Sequence, residues 1–220
     1  MTRGRFITLE GGEGAGKSTQ VALLAQSLES TGIKVLTTRE PGGSKGAEDI
    51  RKLLVEGEIG RWTPMAETLL LLAARADHLT RKIRPALEEG AWVICDRFAD
   101  STIAYQGVGL GLGIDVVQSL SDMVLGDIRP DLTLILDLGV ETGLARAGKR
   151  QGDDHRYERM GEDFHHRLRQ GFRDIAEREP DRCAVLDAEG SVANVHRDIL
   201  AAITDRLKVD LLPAQPAEEA

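Results

Sequence analysis

Between residues 11 and 18 the chain reads Gly11-Gly12-Glu13-Gly14-Ala15-Gly16-Lys17-Ser18, and Thr19 follows. Glycines at this spacing let backbone N–H groups converge on phosphate oxygens, and a helix beginning at the motif's end adds partial positive charge. Lys17 supplies a point charge for β- and γ-phosphates, and the Ser18 hydroxyl can ligate Mg²⁺. The chemistry is the capture of a nucleoside triphosphate with its metal. The ordinary alternative is a glycine-rich turn that happens to contain Lys-Ser. An apolar run before the motif and a helical pattern after it argue against that. The loop alone does not separate a kinase from a GTPase switch or a motor, although the Asn-Lys-x-Asp element of GTP-specific switches is absent from the sequence.

The elements that must hold this loop are legible as alternating strands and helices. Phe6 to Leu9 is a short apolar run closed by the glycine cluster. From Lys17, apolar residues recur at Val21, Leu24, Ala25 and Leu28 with a 3.6-residue period, and Gly32 stops that helix. Lys34 to Thr38, Ala91 to Asp96, Leu132 to Leu138 and Arg182 to Asp187 read as four more strands. A helical stretch surrounds Ile50, Leu53 and Leu54. Thr63 and Pro64 have the types of an N-cap and first helical position, with Pro85 expected to break or kink the helix and Gly90 to end it. Five short strands separated by helices imply an α/β fold with a parallel sheet covered on both faces. Asp96 falls at the carboxyl edge of that sheet, where open α/β folds bind ligands, and a carboxylate there can hold Mg²⁺ through water. Its ordinary alternative is a helix N-cap.

Composition narrows the classes. A chain of 220 residues suits one domain, placed at 1–208, and a hydrophobic fraction of 41% allows a sizeable core. The net charge of −8 disfavours a nucleic acid polymer as partner, so an anionic ligand must meet a local cluster of cations. Cys95 and Cys183 sit in apolar runs without metal spacing and read as buried strand residues. With no disulfide framework, no signal peptide and no apolar run of membrane-spanning length, a cytoplasmic protein is expected. The five histidines show no ligand pattern and read as surface or helix-flank residues. Ala147 to Arg159 is rich in Gly and charge and reads as a mobile loop. The tail, 209–220, is dominated by Pro, Ala and Glu toward its end and is expected to be disordered.

Three further segments make the reading specific. They are Thr38-Arg39-Glu40-Pro41-Gly42-Gly43, then Asp96-Arg97-Phe98 with Asp100-Ser101-Thr102 and Ala104-Tyr105-Gln106-Gly107, then Arg129-Pro130-Asp131-Leu132-Thr133. With the phosphate loop, in this order, the set closely resembles the bacterial thymidylate kinase family over about residues 5 to 207. The resemblance implies the P-loop NTPase fold, with a five-stranded parallel sheet and a mobile lid at about 146–159. It implies ATP and dTMP as substrates, Mg²⁺ as cofactor, and a homodimer.

The resemblance also implies roles. Residues 11 to 19 bind ATP. Arg97 reaches phosphate oxygens at the reaction centre, with a surface arginine as the alternative. Arg39 and Arg51 look like the acceptor-phosphate clamp, since guanidinium forks match phosphate geometry; the alternative for Arg51, on a helix beside Lys52, is an ordinary solvated charge. Glu40 supports these arginines or the sugar, or is simply a strand-end charge. Arg75 matches the arginine that donates to the thymine carbonyl, and Thr102 and Gln106 match positions at the base edge. Tyr105 matches a residue that crowds the sugar 2′ position; its alternative is core packing with the hydroxyl on a neighbour. Four residues before Arg75 the family commonly carries a stacking phenylalanine, and here that position is Leu71. Some members place a catalytic arginine in the phosphate loop and others in the lid. Glu13 without an arginine matches the second class, so Arg150 and Arg156 join Lys17, Arg97 and Glu13 as catalytic candidates. A solvated charge run is the plainer meaning of the lid arginines. The rival functions are a kinase for another nucleoside monophosphate and a regulatory nucleotide-binding switch.

Overall fold

In the computed structural model, residues 3–148, 156–209 and 211 are described. Five parallel strands form one sheet: β1 Phe6–Glu10, β2 Val35–Arg39, β3 Trp92–Asp96, β4 Leu132–Asp137 and β5 Cys183–Asp187, in the order β2-β3-β1-β4-β5. All five match the expected strands to within a residue. β1 is central, flanked by β3 (Leu9 opposite Asp96) and β4 (Leu9 opposite Leu134). The residues after β1, β2 and β3 therefore emerge together at the carboxyl edge, the side on which such sheets bind ligands.

The helices are α1 Lys17–Ser30, α2 Lys45–Val55, α3 Pro64–His78, α4 Arg84–Glu88, α5 Ala99–Thr102, α6 Ile114–Leu125, α7 Val140–Ala147, α8 Glu162–Arg178 and α9 Val192–Leu207. One face of the sheet packs Ile7, Leu9 and Leu134 against Leu24 and Leu28 of α1 and Ile199 and Ile203 of α9. The other packs Phe6, Val93 and Cys95 against Leu79, Ile83, Leu87 and Phe98. A third cluster gathers Tyr105, Val117, Phe164, Leu168 and Phe172 beneath the loops after β3. Both cysteines are buried and free.

Local signals explain the ends. Gly32, at φ 83°, terminates α1: its N–H donates to Glu29 O at 2.9 Å and that of Ile33 to Leu28 O at 3.2 Å. This is the pairing of a Schellman cap. Thr63 Oγ1 accepts from Ala66 N and starts α3. Pro85 does not break the helix. The chain stays helical from α3 into α4 through a π-type turn at Leu79–Ile83, which widens the backbone just before the proline's missing N–H. A second π-type stretch, Ile103–Gly109, follows α5 and carries Tyr105 and Gln106. The expected loop is also shorter at its start. Arg146 lies in the last turn of α7 and donates to Ala188 O at 3.1 Å, so helix α7 extends to the first residue of the expected loop. Residues 149–155, including Arg150, and most of the tail lie outside the described residues. Among the described residues no helix is long and apolar enough to cross a membrane.

Candidate functional site

The phosphate loop leaves β1 and turns into α1. Gly14 is at φ 70°, and a Cβ there would lie 2.1 Å from Gly143 O of α7, so only glycine allows the loop to press against that helix. Lys17 Nζ reaches back and donates to Gly12 O at 2.7 Å and Gly11 O at 3.1 Å. Burial, then the neighbouring Arg97, pulls its pKa down to about 8. Ser18 Oγ donates to Asp96 Oδ2 at 2.6 Å, so the hydroxyl and carboxylate expected to share a metal are adjacent.

Arg97 lies one residue past β3. Its φ is 66°, in the left-handed region that side chains rarely occupy. Hydrogen bonds on both sides hold this turn. Arg97 N donates to Leu9 O at 3.0 Å, Phe98 N to Glu10 Oε1 at 2.7 Å, and Ser101 Oγ to Glu10 Oε2 at 2.5 Å. Burial, then the nearby Asp100, pushes the Glu10 carboxyl up to about 7. The conformation aims the Arg97 guanidinium at the phosphate loop, donating to Gly11 O at 2.9 Å and to Glu13 Oε1 at 3.0 Å. Burial opposes ionisation of Glu13, but Arg97 and Lys17 outweigh it and hold its pKa at about 2.

The far half of the site is built by β2, α2 and α3. Glu40 is buried and accepts from Arg75 Nε at 2.7 Å and from His78 Nδ1 at 3.0 Å. Its carboxylate therefore supports Arg75 and His78. Arg75, 2% exposed, spends Nη2 on Phe98 O at 3.0 Å and Thr102 Oγ1 at 2.9 Å, while Nη1 has no partner. Leu71 lies one turn earlier on the same face of α3 and is half-buried. Arg51 Nη1 donates to Pro41 O at 2.8 Å, and Arg39 Nη2 to Glu48 Oε2 at 3.3 Å. Tyr105 is buried, with its ring edge-on to Tyr157, Phe164 and Phe172 and its hydroxyl on Glu13.

These halves border one cleft of about 450 Å³. Glu13 to Ser18, Asp96 and Arg97 line one end. Arg39, Glu40 and Arg51 line another, with Leu71, Arg75, Thr102, Tyr105 and Gln106 around them. Gly11 and Gly12 face a smaller adjacent hollow, and Thr19 faces solvent on α1. Arg156 is not brought to the phosphate loop. It is buried, pairs with Glu67 and donates to Leu54 O at 2.8 Å.

Several residues at the cleft were not singled out from sequence: Ser101, Tyr157, Glu158, Leu54 and Val55. Glu10 carried one usable signal, a carboxylate ending an otherwise apolar strand. The histidine expectation is corrected in part. His78, His165 and His196 are buried, His78 because Glu40 and Thr38 satisfy both its ring nitrogens. His155 lies outside the described residues. Among the described residues no group of three or more His, Cys, Asp or Glu is placed to hold a metal.

Comparison with known proteins agrees with this geometry. The family model described as thymidylate kinase matches residues 9–199. A thymidylate kinase of Caulobacter vibrioides is 54% identical over 207 residues, covering 94% of this chain and 99% of the relative. One of Magnetococcus marinus is 49% identical with the same coverages. The crystal structure of the thymidylate kinase of Ehrlichia chaffeensis superposes with a TM-score of 0.73 at 36% identity, over 91% of this chain and 99% of that one. With the family model spanning most of the sequence and relatives near half identity along almost its full length, this chain belongs to the thymidylate kinase family.

Proposed function

We propose that the chain transfers the γ-phosphoryl of ATP to dTMP, giving ADP and dTDP. The observation that carries this reading is the cleft joining a phosphate loop to a pocket of fixed polar groups, lined by Arg75 and Gln106, whose Nη1 and Oε1 atoms are buried without partners. Buried polar atoms are normally satisfied, so an unpaired donor and acceptor in one cleft fit a ligand that answers both.

The roles follow from position. The phosphate loop and Lys17 hold the β- and γ-phosphates, and Arg97 spans from the loop toward the acceptor side. Ser18 and Asp96 would hold Mg²⁺. Two oxygen ligands side by side suit an ion that keeps several waters and shares substrate phosphates. When bound, it neutralises charge on the phosphate oxygens. Arg39 and Arg51 clamp the acceptor phosphate, Leu71 presses on the base, and the Tyr105 ring limits the sugar 2′ position. Transfer needs positioning and charge stabilisation rather than a nucleophilic side chain. The lid role is assigned to Arg150, since Arg156 is committed to Glu67.

ADP release measured with ATP and a panel of dTMP, dUMP, CMP, AMP and GMP tests the reading. Highest kcat/KM for dTMP is expected. Preference for another acceptor, or hydrolysis undiminished without one, would overturn it. We also propose a homodimer. Met65 and Leu69 on α3 and Val116 and Met123 on α6 are exposed, and these helices pack side by side. Sedimentation of the wild type against Leu69→Glu/Met123→Glu tests it; a monomeric wild type refutes it.

A further inference from the structure

The amide of Gln106 has a fixed polarity, set by a residue outside the reacting groups. Glu67 sits in the first turn of α3, wholly buried. Its Oε2 accepts from Arg156, and its Oε1 accepts from Gln106 Nε2 at 2.8 Å and from the Tyr157 hydroxyl at 2.8 Å. Paired with a guanidinium, Glu67 is a carboxylate, which accepts hydrogen bonds and donates none. Gln106 can therefore turn only its amide –NH₂ toward Glu67. Its oxygen is left at the opposite end, without a partner. Arg75 is the complementary case. Nε and Nη2 are committed to Glu40, Phe98 O and Thr102, and Nη1 is left over.

We infer that Glu67 is a positioning residue that sets base specificity. By holding the Gln106 amide with its oxygen as the free end, it matches the site to a base edge offering a ring N–H beside a carbonyl. A 2,4-dioxopyrimidine has that edge. A 4-aminopyrimidine presents the reverse: a ring nitrogen lone pair would meet the Gln106 oxygen, and an amino group would meet the Arg75 donor. The mismatch leaves buried polar groups unpaired on both sides, which is how a polar site rejects an isostere. The inference rests on the acceptor assignment proposed above.

Glu67→Gln tests it in the full chain. An amide at position 67 can donate to Gln106 Oε1, which frees the Gln106 –NH₂ to become the end facing the base. The readout is kcat/KM for dTMP, dUMP and 5-methyl-dCMP at saturating ATP. The preference for dTMP over 5-methyl-dCMP should fall by about tenfold or more, the scale on which one reversed polar contact discriminates. The dTMP-to-dUMP ratio should stay within about twofold, because both bases carry the same ring N–H. Glu67→Gln also strips Arg156 of its counter-ion, so Glu67→Gln/Arg156→Gln, which removes the buried pair together, is measured alongside with the same expectation. An unchanged preference against 5-methyl-dCMP in a folded variant overturns the inference and leaves the acceptor assignment standing. Equal movement of both ratios also overturns it, as general loosening of the pocket. A wild type indifferent between dTMP and 5-methyl-dCMP overturns both.

Discussion

The Tyr105 hydroxyl donates to Glu13 Oε1 at 2.6 Å, and the same oxygen takes the Arg97 guanidinium at 3.0 Å. The aromatic residue proposed to border the sugar is thus tied to the phosphate loop. Tyr105→Phe keeps the ring but strips one donor from a half-buried carboxylate. A hydrogen bond to a charged group is worth about 1.5–3 kcal/mol, so a loss of that order is expected in urea unfolding. The preference for dTMP over ribothymidine monophosphate should survive, because the ring remains. Tyr105→Ala removes the ring and should relax that preference. If the alanine variant folds and keeps the wild-type ratio, Tyr105 serves packing alone.

On the role proposed for Lys17 at the transferring phosphoryl, Lys17→Ala should lower kcat by roughly 10²–10³-fold, the usual cost of losing one preorganised stabiliser. Its pKa adds a pH signature. With the group drawn down to about 8 by burial and then by Arg97, Lys17 is charged below that pH and loses its proton above it. In the free enzyme kcat/KM for ATP should therefore fall as pH rises through about 8. The residual activity of Lys17→Ala should lack that limb. A limb of the same midpoint in the variant would assign the titration to another group.

The two arginines expected in the lid should separate by experiment. Arg156 is buried on Glu67 and caps Leu54 O, so Arg156→Ala leaves a carboxylate buried without its counter-ion. Breaking one side of such a pair costs about 3–5 kcal/mol, visible as a lower Tm. On the lid role proposed for it, Arg150→Ala should lower kcat more than it raises either KM. Full kcat in folded Arg150→Ala would remove the lid from the chemistry.

What the sequence disclosed, and what it hid, follows from the range of each signal. β1, the phosphate loop and α1 are contiguous, and their pattern is local; so is the Thr63-Pro64 start of α3. The sheet followed because most strands are short apolar runs, and β2 begins on Val35-Leu36 before the polar Thr37-Thr38-Arg39. The buried polar contacts are a different matter. Glu40 meets Arg75 35 residues away, and Glu67 meets Arg156 89 residues away. Nothing local marks His78 as buried, since its partners Thr38 and Glu40 come from β2 and the residue just beyond it. The same blindness made Arg156 resemble its neighbours in a charged run. Only the fold distinguishes a cation held by a buried carboxylate from one free to meet phosphate.

Leu71 offers the most direct route to a tighter acceptor site. It sits four residues before Arg75, on the same face of α3, and borders the cleft half-buried. A leucine there can press an apolar edge on a base but offers no flat π surface. Stacking of a base on an aromatic side chain is worth about 1–3 kcal/mol, equivalent to roughly five- to a hundred-fold in affinity. Leu71→Phe should therefore lower the KM for dTMP within that span, with the KM for ATP unmoved. Leu71 lines a cleft of about 450 Å³, so the added ring has a cavity rather than a packed core beside it. Overpacking against α2 would act in the opposite direction and costs about 1–3 kcal/mol, so Tm is read on the same sample. Leu71→Ala is the deciding companion. Shortening the side chain removes the apolar contact without adding bulk, and the KM for dTMP should rise. If that variant folds and its KM for dTMP stays at the wild-type value, the base does not lie against Leu71 and the orientation proposed for the acceptor is wrong.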